Sequence, residues 1–224
     1  MPGTALKGRG TVSRMKYACV LALLCLTTAC KPLVIGRVGD SIMYLMGEEL
    51  ELEAARAGHT TVGLAVFPGI SLSQHFNGFI SDRLAQFHQV PVDVVVVSLL
   101  TNDAATQPLA TVEPSWPLVD TDEELDAHID KFMRAMPFVP VVWLVPGSPI
   151  LDPAKCEHFR KGLQRAQARW PYQLTLLEQA PEWFDGGDGV HYGPAGETLA
   201  AKAVMAHIAG VFTPPLMESL EEKP

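Results

Sequence analysis

Short runs of apolar, mostly β-branched residues alternate with longer amphipathic stretches along the chain from residue 33 onward. The short runs predict strands at 33–38, 60–67, 92–99, 139–145 and 173–177. The amphipathic stretches predict helices at 41–57, 72–88, 121–136, 153–170 and 194–209. Residues 92–97 are almost all valine, which is typical of a central strand covered on both faces. This alternation predicts an α/β fold: a single doubly wound, flavodoxin-like domain of about five parallel strands with helices on both faces.

A polar residue or a glycine follows each of the first three predicted strands, and two further polar residues precede the last helix. Ser41 follows the first strand, Gly69 the second and Asn102 the third, while Asp188 and His191 precede the last helix. In a doubly wound sheet, ligands bind beyond the carboxyl ends of the strands, near the point where the strand order reverses. These residues are therefore expected to converge in one crevice.

The first 30 residues differ from the rest of the chain. Residues 1–30 contain four basic residues and no acidic one, and their uncharged stretch at 17–29 is short for a membrane-spanning helix. This layout is typical of an export signal, and its end resembles a bacterial lipoprotein signal in which Cys30 accepts the lipid. Thr27 departs from the aliphatic residue usual in that motif, so ordinary cleavage and an uncleaved anchor remain alternatives. A start at Met15 would give a compact signal of the usual form.

The chain that follows the signal is acidic. The whole sequence has a net charge of −8, and four of its 17 basic residues but none of its 25 acidic residues lie before Cys30. No basic cluster remains, so a nucleic-acid partner is not expected. We predict one domain at 31–212 and a solvated tail at 213–224. Only Cys156 falls in the predicted domain, which excludes a disulfide within it, and a packed or surface thiol is expected there.

Three of the converging residues suit nucleophilic catalysis. A serine hydroxyl becomes a good nucleophile when a base takes its proton, and an imidazole is a good base when its tautomer is fixed. An aspartate three residues before a histidine can reach the imidazole N–H on a tight turn. The sequence therefore predicts Ser41 as the nucleophile, His191 as the base and Asp188 as the residue that orients the base.

Four short blocks resemble the SGNH, or GDSL-type, hydrolase family of esterases and related acyl-transfer enzymes. The blocks are Gly39-Asp40-Ser41-Ile42, Pro68-Gly69-Ile70-Ser71, Thr101-Asn102-Asp103 and Asp188-Gly189-Val190-His191. Together they span nearly the whole chain after the signal. The resemblance implies a catalytic triad of Ser41, His191 and Asp188. It also implies an oxyanion hole formed by the Ser41 N–H, the Gly69 N–H and the Asn102 side-chain amide.

Leu100 departs from that family pattern, which usually has glycine two positions before the asparagine. A side chain there is expected to narrow the acyl pocket or to reposition the Asn102 loop. The amide of Asn102 suits an oxyanion because it carries N–H groups that the neighbouring Asp103 carboxylate lacks. Glycine at position 69 lets the backbone approach a substrate without a Cβ in the way.

Each candidate residue also has a purely structural interpretation. Ser41 suits a helix N-cap, Gly69 an ordinary turn and Asn102 the end of a strand. His191 suits a loop and Asp188 the cap of a glycine-rich turn. Because all of them occur together, in order and on the expected elements, the sequence favours the catalytic interpretation.

Other residues near the predicted crevice are expected to support it. Asp40 adjoins Ser41, and because adjacent side chains on a turn diverge, Asp40 is expected to fix the turn by local hydrogen bonds. The long connection at 104–120 is a candidate substrate wall. Trp116 and Trp183 are expected either to stack on a sugar ring or to cover the core edge, whereas Trp143 belongs to the core.

The sequence contains no phosphate-binding, dinucleotide-binding or metal-ligand motif, so a reaction without cofactor or metal is expected. The leading hypothesis is an exported, lipid-anchored serine esterase that acts on an O-acylated carbohydrate or a small acyl ester. One rival passes the acyl group to a sugar hydroxyl, as an O-acyltransferase. Another is a non-catalytic envelope lipoprotein that binds a glycan or a partner. We expect a monomer that is either held on the periplasmic face of a bacterial membrane or secreted, and a membrane contact only through the lipid anchor.

Overall fold

The computed structural model describes residues 31–72, 90–104, 119, 121–136 and 138–212. Judged by the contacts between its residues, Leu33–Pro224 forms one compact unit, and Met1–Pro32 is not part of it. The predicted signal and tail, Trp116, and most of the predicted helix at 72–88 and of the connection at 104–120 lie outside the described residues. Among the helices of the described ranges, none has the length and hydropathy needed to cross a membrane.

Within these ranges, five parallel strands form one sheet. The strands are β1 (Val34–Gly39), β2 (Thr60–Val66), β3 (Val94–Ser98), β4 (Val141–Val145) and β5 (Leu174–Glu178). Their order is β2-β1-β3-β4-β5. This order is the flavodoxin-like one, so the predicted fold class is confirmed. Each observed strand lies within two residues of its predicted bounds.

Helices connect the strands and cover both faces of the sheet. They are α1 (Ser41–Arg56), α2 (Thr101–Ala104), α3 (Asp122–Ala135), α4 (Pro153–Arg169) and α5 (Pro194–Phe212), with a 3-10 helix at Pro181–Phe184. The sequence does not predict α2 or the 3-10 helix, because an element of four residues is too short to show a helical period. A capping box between Thr121 and Glu124 begins α3, and Asp152 caps α4.

The pleat of the central strands divides the core into two layers. Val95 and Val97 of β3 point into the layer that α3 and α4 cover, and Val94 and Val96 point into the layer that α1 and α5 cover. All five residues of β3 are buried, as predicted for a valine-rich central strand. Trp143 of β4 is also fully buried.

The strands of the sheet are parallel, so all of them begin along one side of the sheet and end along the opposite side. We call the edge where the parallel strands end the carboxyl edge, and the edge where they begin the amino edge. The strand order reverses between β1 and β3, whose last residues, Gly39 and Ser98, are register partners. At the carboxyl edge, α1 and α2 begin directly above these two strands. The expected crevice therefore opens between the starts of two helices.

Candidate active site

Ser41 is the first residue of α1, directly beyond the carboxyl end of β1. The helix cap is Asp40, whose Oδ1 accepts from the backbone N–H of Ile42 at 3.0 Å. The alternative interpretation of Ser41 as the cap is therefore wrong, and its hydroxyl is not used for capping. Because Ser41 opens the helix, its own N–H belongs to the positive end of the helix dipole.

The carboxyl group of Asp40 is fully buried beneath this turn. Its Oδ1 also accepts from the Ser98 hydroxyl at 3.3 Å, and its backbone N–H donates to the Ser98 carbonyl at 2.9 Å. Burial raises the pKa of Asp40 to about 7. The local hydrogen bond to Ile42 is the turn-fixing contact expected of Asp40, but the depth of its burial was not expected.

Asp188 and His191 lie on a tight loop between the 3-10 helix and α5. Oδ1 of Asp188 accepts from the backbone N–H groups of Val190 and His191, at 2.9 and 2.7 Å. A Cβ added at Gly187 would lie 2.2 Å from the His191 carbonyl oxygen, so the loop requires glycine there. The loop thus folds back on itself and presents the imidazole in one direction.

The imidazole of His191 bridges Ser41 and Asp188. Its Nε2 lies 2.8 Å from the Ser41 Oγ, and its Nδ1 lies 2.8 Å from the Asp188 Oδ2. Bonds from the His191 backbone N–H and ring lower the pKa of Asp188 to about 2, so Asp188 is ionised at neutral pH. An ionised carboxylate only accepts, so Nδ1 donates to Asp188 and Nε2 is left to accept from the Ser41 hydroxyl.

An aromatic cluster supports this loop from below. Tyr192, directly after His191, packs edge-on against Trp183 and Phe184, with ring centroids 5.7 and 5.1 Å apart. Trp183 is only 5% exposed and belongs to the core between the sheet and α5. The expectation that Trp183 stacks on a sugar ring is therefore wrong, and its alternative role at the core edge is the observed one.

The segment that contains Gly69 is hydrogen bonded to the start of α2. The Asn102 side-chain amide donates to the Ile70 carbonyl at 2.7 Å, and the Asp103 carboxylate accepts from the Leu72 N–H at 2.8 Å. Gly69 has a φ of +81°, a conformation that favours glycine. Because the Asn102 amide nitrogen carries two hydrogens, one remains after the bond to Ile70. The residues from the second and third blocks thus lie beside each other.

Leu100, the departure from the family pattern, adopts a glycine-like backbone. Its φ is +82°, and its side chain is fully buried in the core layer beneath α3 and α4. A left-handed conformation costs a non-glycine residue about 1–2 kcal/mol. The side chain therefore points into the core and not into the crevice, so the expected narrowing of the acyl pocket is not observed.

The sequence does not predict a role for two residues of the β4–α4 connection. The Ser148 hydroxyl donates to the Gly189 carbonyl in the loop that carries His191, and Ile150 lies against Gly189. Ser148 is buried, whereas Ile150 is exposed at the rim. Their position directly after β4 could have identified them as neighbours of the site, because every loop at the carboxyl edge can reach the crevice.

In the described part of the chain, no group of three or more His, Cys, Asp or Glu side chains is placed to hold a metal ion. Cys156 is a free, buried thiol, and burial raises its pKa. The chemistry that this arrangement offers is that of a serine hydroxyl beside an oriented imidazole.

No family model and no curated relative matches the chain by sequence. Solved structures do share its fold. A family two carbohydrate esterase from Clostridium thermocellum in complex with cellohexaose is similar over 80% of this chain and 65% of that chain, with 17% identity and a TM-score of 0.57. A family 3 carbohydrate esterase from the same organism is similar over 81% and 98%, with 15% identity and a TM-score of 0.58.

The C-terminal catalytic domain of Streptococcus pneumoniae peptidoglycan O-acetyltransferase A is similar over 80% of this chain and 94% of that chain, with 14% identity and a TM-score of 0.52. The match spans only 65% of the family two esterase chain above and 64% of an active-site mutant of a family two esterase from the same organism. At identities this low, the similarity shows a common fold and nothing about the reaction.

Proposed function

We propose that this protein is a serine esterase that removes an acyl group from a carbohydrate or a small acyl ester. The observation that carries the proposal is the pair of 2.8 Å contacts that join Ser41 to His191 and His191 to Asp188. These are the distances needed for a nucleophile, its base and the residue that orients the base. The similarity in fold to carbohydrate esterases supports the same reaction class.

In the first half of the proposed reaction, the Ser41 Oγ attacks the carbonyl carbon of the ester. The Ser41 proton moves to the Nε2 of His191, whose Nδ1–H keeps its hydrogen bond to the Asp188 carboxylate. The tetrahedral intermediate then expels the sugar or alcohol oxygen, which takes the proton from His191. In the second half, a water gives its proton to His191 and attacks the acyl-enzyme. The bond between the acyl carbon and the Ser41 oxygen then breaks, His191 returns its proton to that oxygen, and the acid is released.

The negative oxygen of the intermediate needs donors. We assign this role to the N–H groups of Ser41 and Gly69 and to the remaining hydrogen of the Asn102 amide. Ser41 lies at the start of α1, while Asn102 is held by its bond to the Ile70 carbonyl, next to Gly69. Such fixed donors stabilise developing charge without reorganisation during the reaction.

An O-acyltransferase is the second candidate, since the fold is shared with a peptidoglycan O-acetyltransferase domain. The chemistry is the same up to the acyl-enzyme, and a sugar hydroxyl then replaces water. Incubation with an acyl donor and a soluble glycan, followed by mass analysis of the products, separates transfer to the glycan from release of free acid.

We further propose that the protein is exported and carries a lipid on Cys30. The support is the layout of residues 1–30, with four basic residues, an uncharged stretch and small residues before Cys30. Metabolic labelling with a radioactive fatty acid tests this directly. Wild type is expected to incorporate the label and Cys30→Ser to lose it. An unlabelled wild-type protein would remove the anchor from the proposal and leave the proposed chemistry untouched.

A fluorophosphonate probe tests the proposed chemistry, because it reacts with activated serines. We expect it to label the wild type once, at Ser41, and to leave Ser41→Ala unlabelled. Ser148→Ala is the matched control, because Ser148 contacts the same loop, and it is expected to keep the label. Hydrolysis of p-nitrophenyl acetate and of acetylated sugars should fall at least about a thousandfold in Ser41→Ala. An unlabelled wild type, inert towards these esters, would favour the non-catalytic alternative.

A further inference from the structure

The amino edge of the sheet, opposite the proposed active site, carries exposed apolar side chains in neighbouring loops. Phe138 precedes β4 and Tyr172 precedes β5, and each residue is 99% exposed. Val90, before β3, is also exposed. Because β3, β4 and β5 are adjacent, these loops lie side by side. The Gln173 side-chain amide donates to the Met136 carbonyl and ties the two aromatic turns together.

Phe138 occupies a backbone conformation that is unfavourable for phenylalanine. Its φ is +66°, in the left-handed region where a bulky residue is an outlier. With the side chain almost fully exposed, packing within the described chain does not offset this strain. Glycine or asparagine would suit the turn better. The stability of the fold therefore does not explain a phenylalanine here, and a strained residue of this kind indicates a function.

The chain enters the domain at this same edge. The Leu33 carbonyl accepts from the Thr60 N–H at 2.9 Å, and the Val34 N–H donates to the Asp93 carboxylate at 2.8 Å. These bonds fix the first residue of β1 between β2 and β3. Cys30 is four residues before Val34, and an extended chain of that length spans at most about 14 Å. A lipid on Cys30 would thus hold the amino edge close to the surface of a bilayer.

The charge along this edge is compatible with an anionic bilayer. Helices that follow parallel strands run back across the sheet, so α1, α3 and α4 end here, each with an arginine in its last turn: Arg56, Arg134 and Arg169. Arg56 pairs with Glu53, and Arg169 pairs with Asp126 and Asp130. Residues 213–224 of the sequence contain three glutamates and one lysine. The electrostatic contribution to bilayer binding is therefore modest, and the exposed aromatic side chains are expected to contribute most of the binding.

We propose that the amino edge is a membrane-docking surface, in which Phe138 and Tyr172 enter the interfacial layer of a phospholipid bilayer beside the anchor. Aromatic side chains favour this depth, since their rings are apolar and the tyrosine hydroxyl stays hydrated. The proposal rests on the lipid anchor assigned to Cys30 under the proposed function. It departs from the expectation that only the anchor contacts the membrane.

Docking at the amino edge also restricts the substrate of the proposed reaction. Strands of five to seven residues place the carboxyl edge about 20 Å from the amino edge. The contact between Ser41 and His191 then faces away from the bilayer, into the aqueous layer. An ester on a soluble or cell-wall glycan fits this orientation, whereas an ester buried among the lipids of the same membrane does not.

Vesicle flotation tests the surface without the anchor. The chain 31–224 retains the compact unit that begins at Leu33 and every residue of both core layers. We expect it to bind vesicles of phosphatidylethanolamine and phosphatidylglycerol, and Phe138→Ala with Tyr172→Ala to weaken binding at least about tenfold. Tyr44→Ala with Ile150→Ala is the matched control at the carboxyl edge and should stay within about twofold.

Two outcomes of the flotation experiment would overturn the proposed docking surface. In the first, the two double variants bind vesicles equally. In the second, the protein binds envelope fragments but not lipid vesicles, and protease treatment of the fragments abolishes the binding, which would indicate a protein partner. Turnover of a soluble ester by the Phe138/Tyr172 variant should be unchanged. If neither the wild type nor the variant hydrolysed the ester, the result would instead count against the proposed esterase activity.

A tethered experiment removes the dependence on weak intrinsic affinity. The same chain, held on vesicles by a histidine tag before residue 31 and a chelating lipid, is labelled with a fluorophore in a Cys156→Ala background. A label at Tyr172→Cys is expected to be quenched by spin-labelled lipids, and one at Tyr44→Cys is not. Equal quenching, or stronger quenching at position 44, would refute the proposed orientation.

Discussion

Asp188 contacts His191 through both of its carboxylate oxygens. One accepts from the backbone N–H of His191 at 2.7 Å, and the other lies 2.8 Å from the ring Nδ1. A spacing of three residues on one turn is enough for both contacts. The orientation of the imidazole is therefore built locally, and only its approach to Ser41 depends on the rest of the fold.

Asp188→Asn tests the orienting contact. The asparagine oxygen can still accept from the backbone, but its amide cannot accept from the ring, which favours the wrong tautomer of His191. We expect kcat to fall by about a hundredfold to ten-thousandfold, with little change in stability because the side chain is exposed. Asp185→Asn, at an exposed position of the same loop, is the control for both ester turnover and urea unfolding. Equal losses in the two variants would contradict the assignment.

Asn102→Ala tests the proposed oxyanion hole. Removing one donor is expected to lower kcat by about a hundredfold with a smaller change in KM, because the interaction forms in the transition state. Urea unfolding measures how much the lost bond to the Ile70 carbonyl destabilises the fold. A variant that is unstable but turns over normally would show that Asn102 has only a structural role.

Gly187→Ala tests the loop that carries His191. The added Cβ would lie 2.2 Å from the His191 carbonyl oxygen, so the loop has to move. A displacement of about 1 Å is enough to lower kcat about a hundredfold. Gly210→Ala, near the end of α5, is the control, since this glycine has no left-handed φ and no atom lies within 4 Å of the added Cβ. Similar activities for the two variants would mean that the loop tolerates the change.

Asp40→Asn tests the buried carboxyl under Ser41. The folded pKa of about 7 lies above the ordinary aspartate value of 3.8, so the folded state retains a proton that the unfolded state loses. The contribution of Asp40 to stability is therefore full below about pH 4 and declines as the pH rises to about 7. Asparagine keeps the acceptor for Ile42 and does not titrate. The free energies of unfolding of wild type and variant, measured from pH 4 to 8, should diverge; parallel curves would contradict the burial effect.

Leu100 offers a test in which the usual order of two substitutions reverses. Glycine is normally less stable than alanine in a folded chain, by about 0.5–1 kcal/mol. At Leu100 both substitutions remove the buried atoms beyond Cβ, and glycine removes Cβ as well, but only glycine relieves the left-handed φ of +82°. We expect Leu100→Ala to cost about 2–5 kcal/mol and Leu100→Gly to cost less, in urea unfolding. The opposite order would show that the backbone relaxes without glycine.

The sequence by itself determined the strands, the order of the candidate residues and the pairing of Asp188 with His191. These are local properties: apolar runs of five to seven residues predict strands, and three residues of a turn bring a carboxylate to an imidazole. The alternation of strands and helices then predicted a parallel sheet, because a helix between two strands returns the chain to the end at which the first strand began, so that the next strand runs in the same direction.

Only the tertiary structure brought His191 to Ser41, which is 150 positions away, and showed that Asp40 is buried and that Leu100 points into the core. It also showed that Ser148 contacts the loop that carries His191 and that Phe138 and Tyr172 share the edge at which the chain enters. No local pattern encodes these relationships. They depend on which faces of the helices the sheet covers and on which loops meet at each edge, and packing across the whole domain decides both.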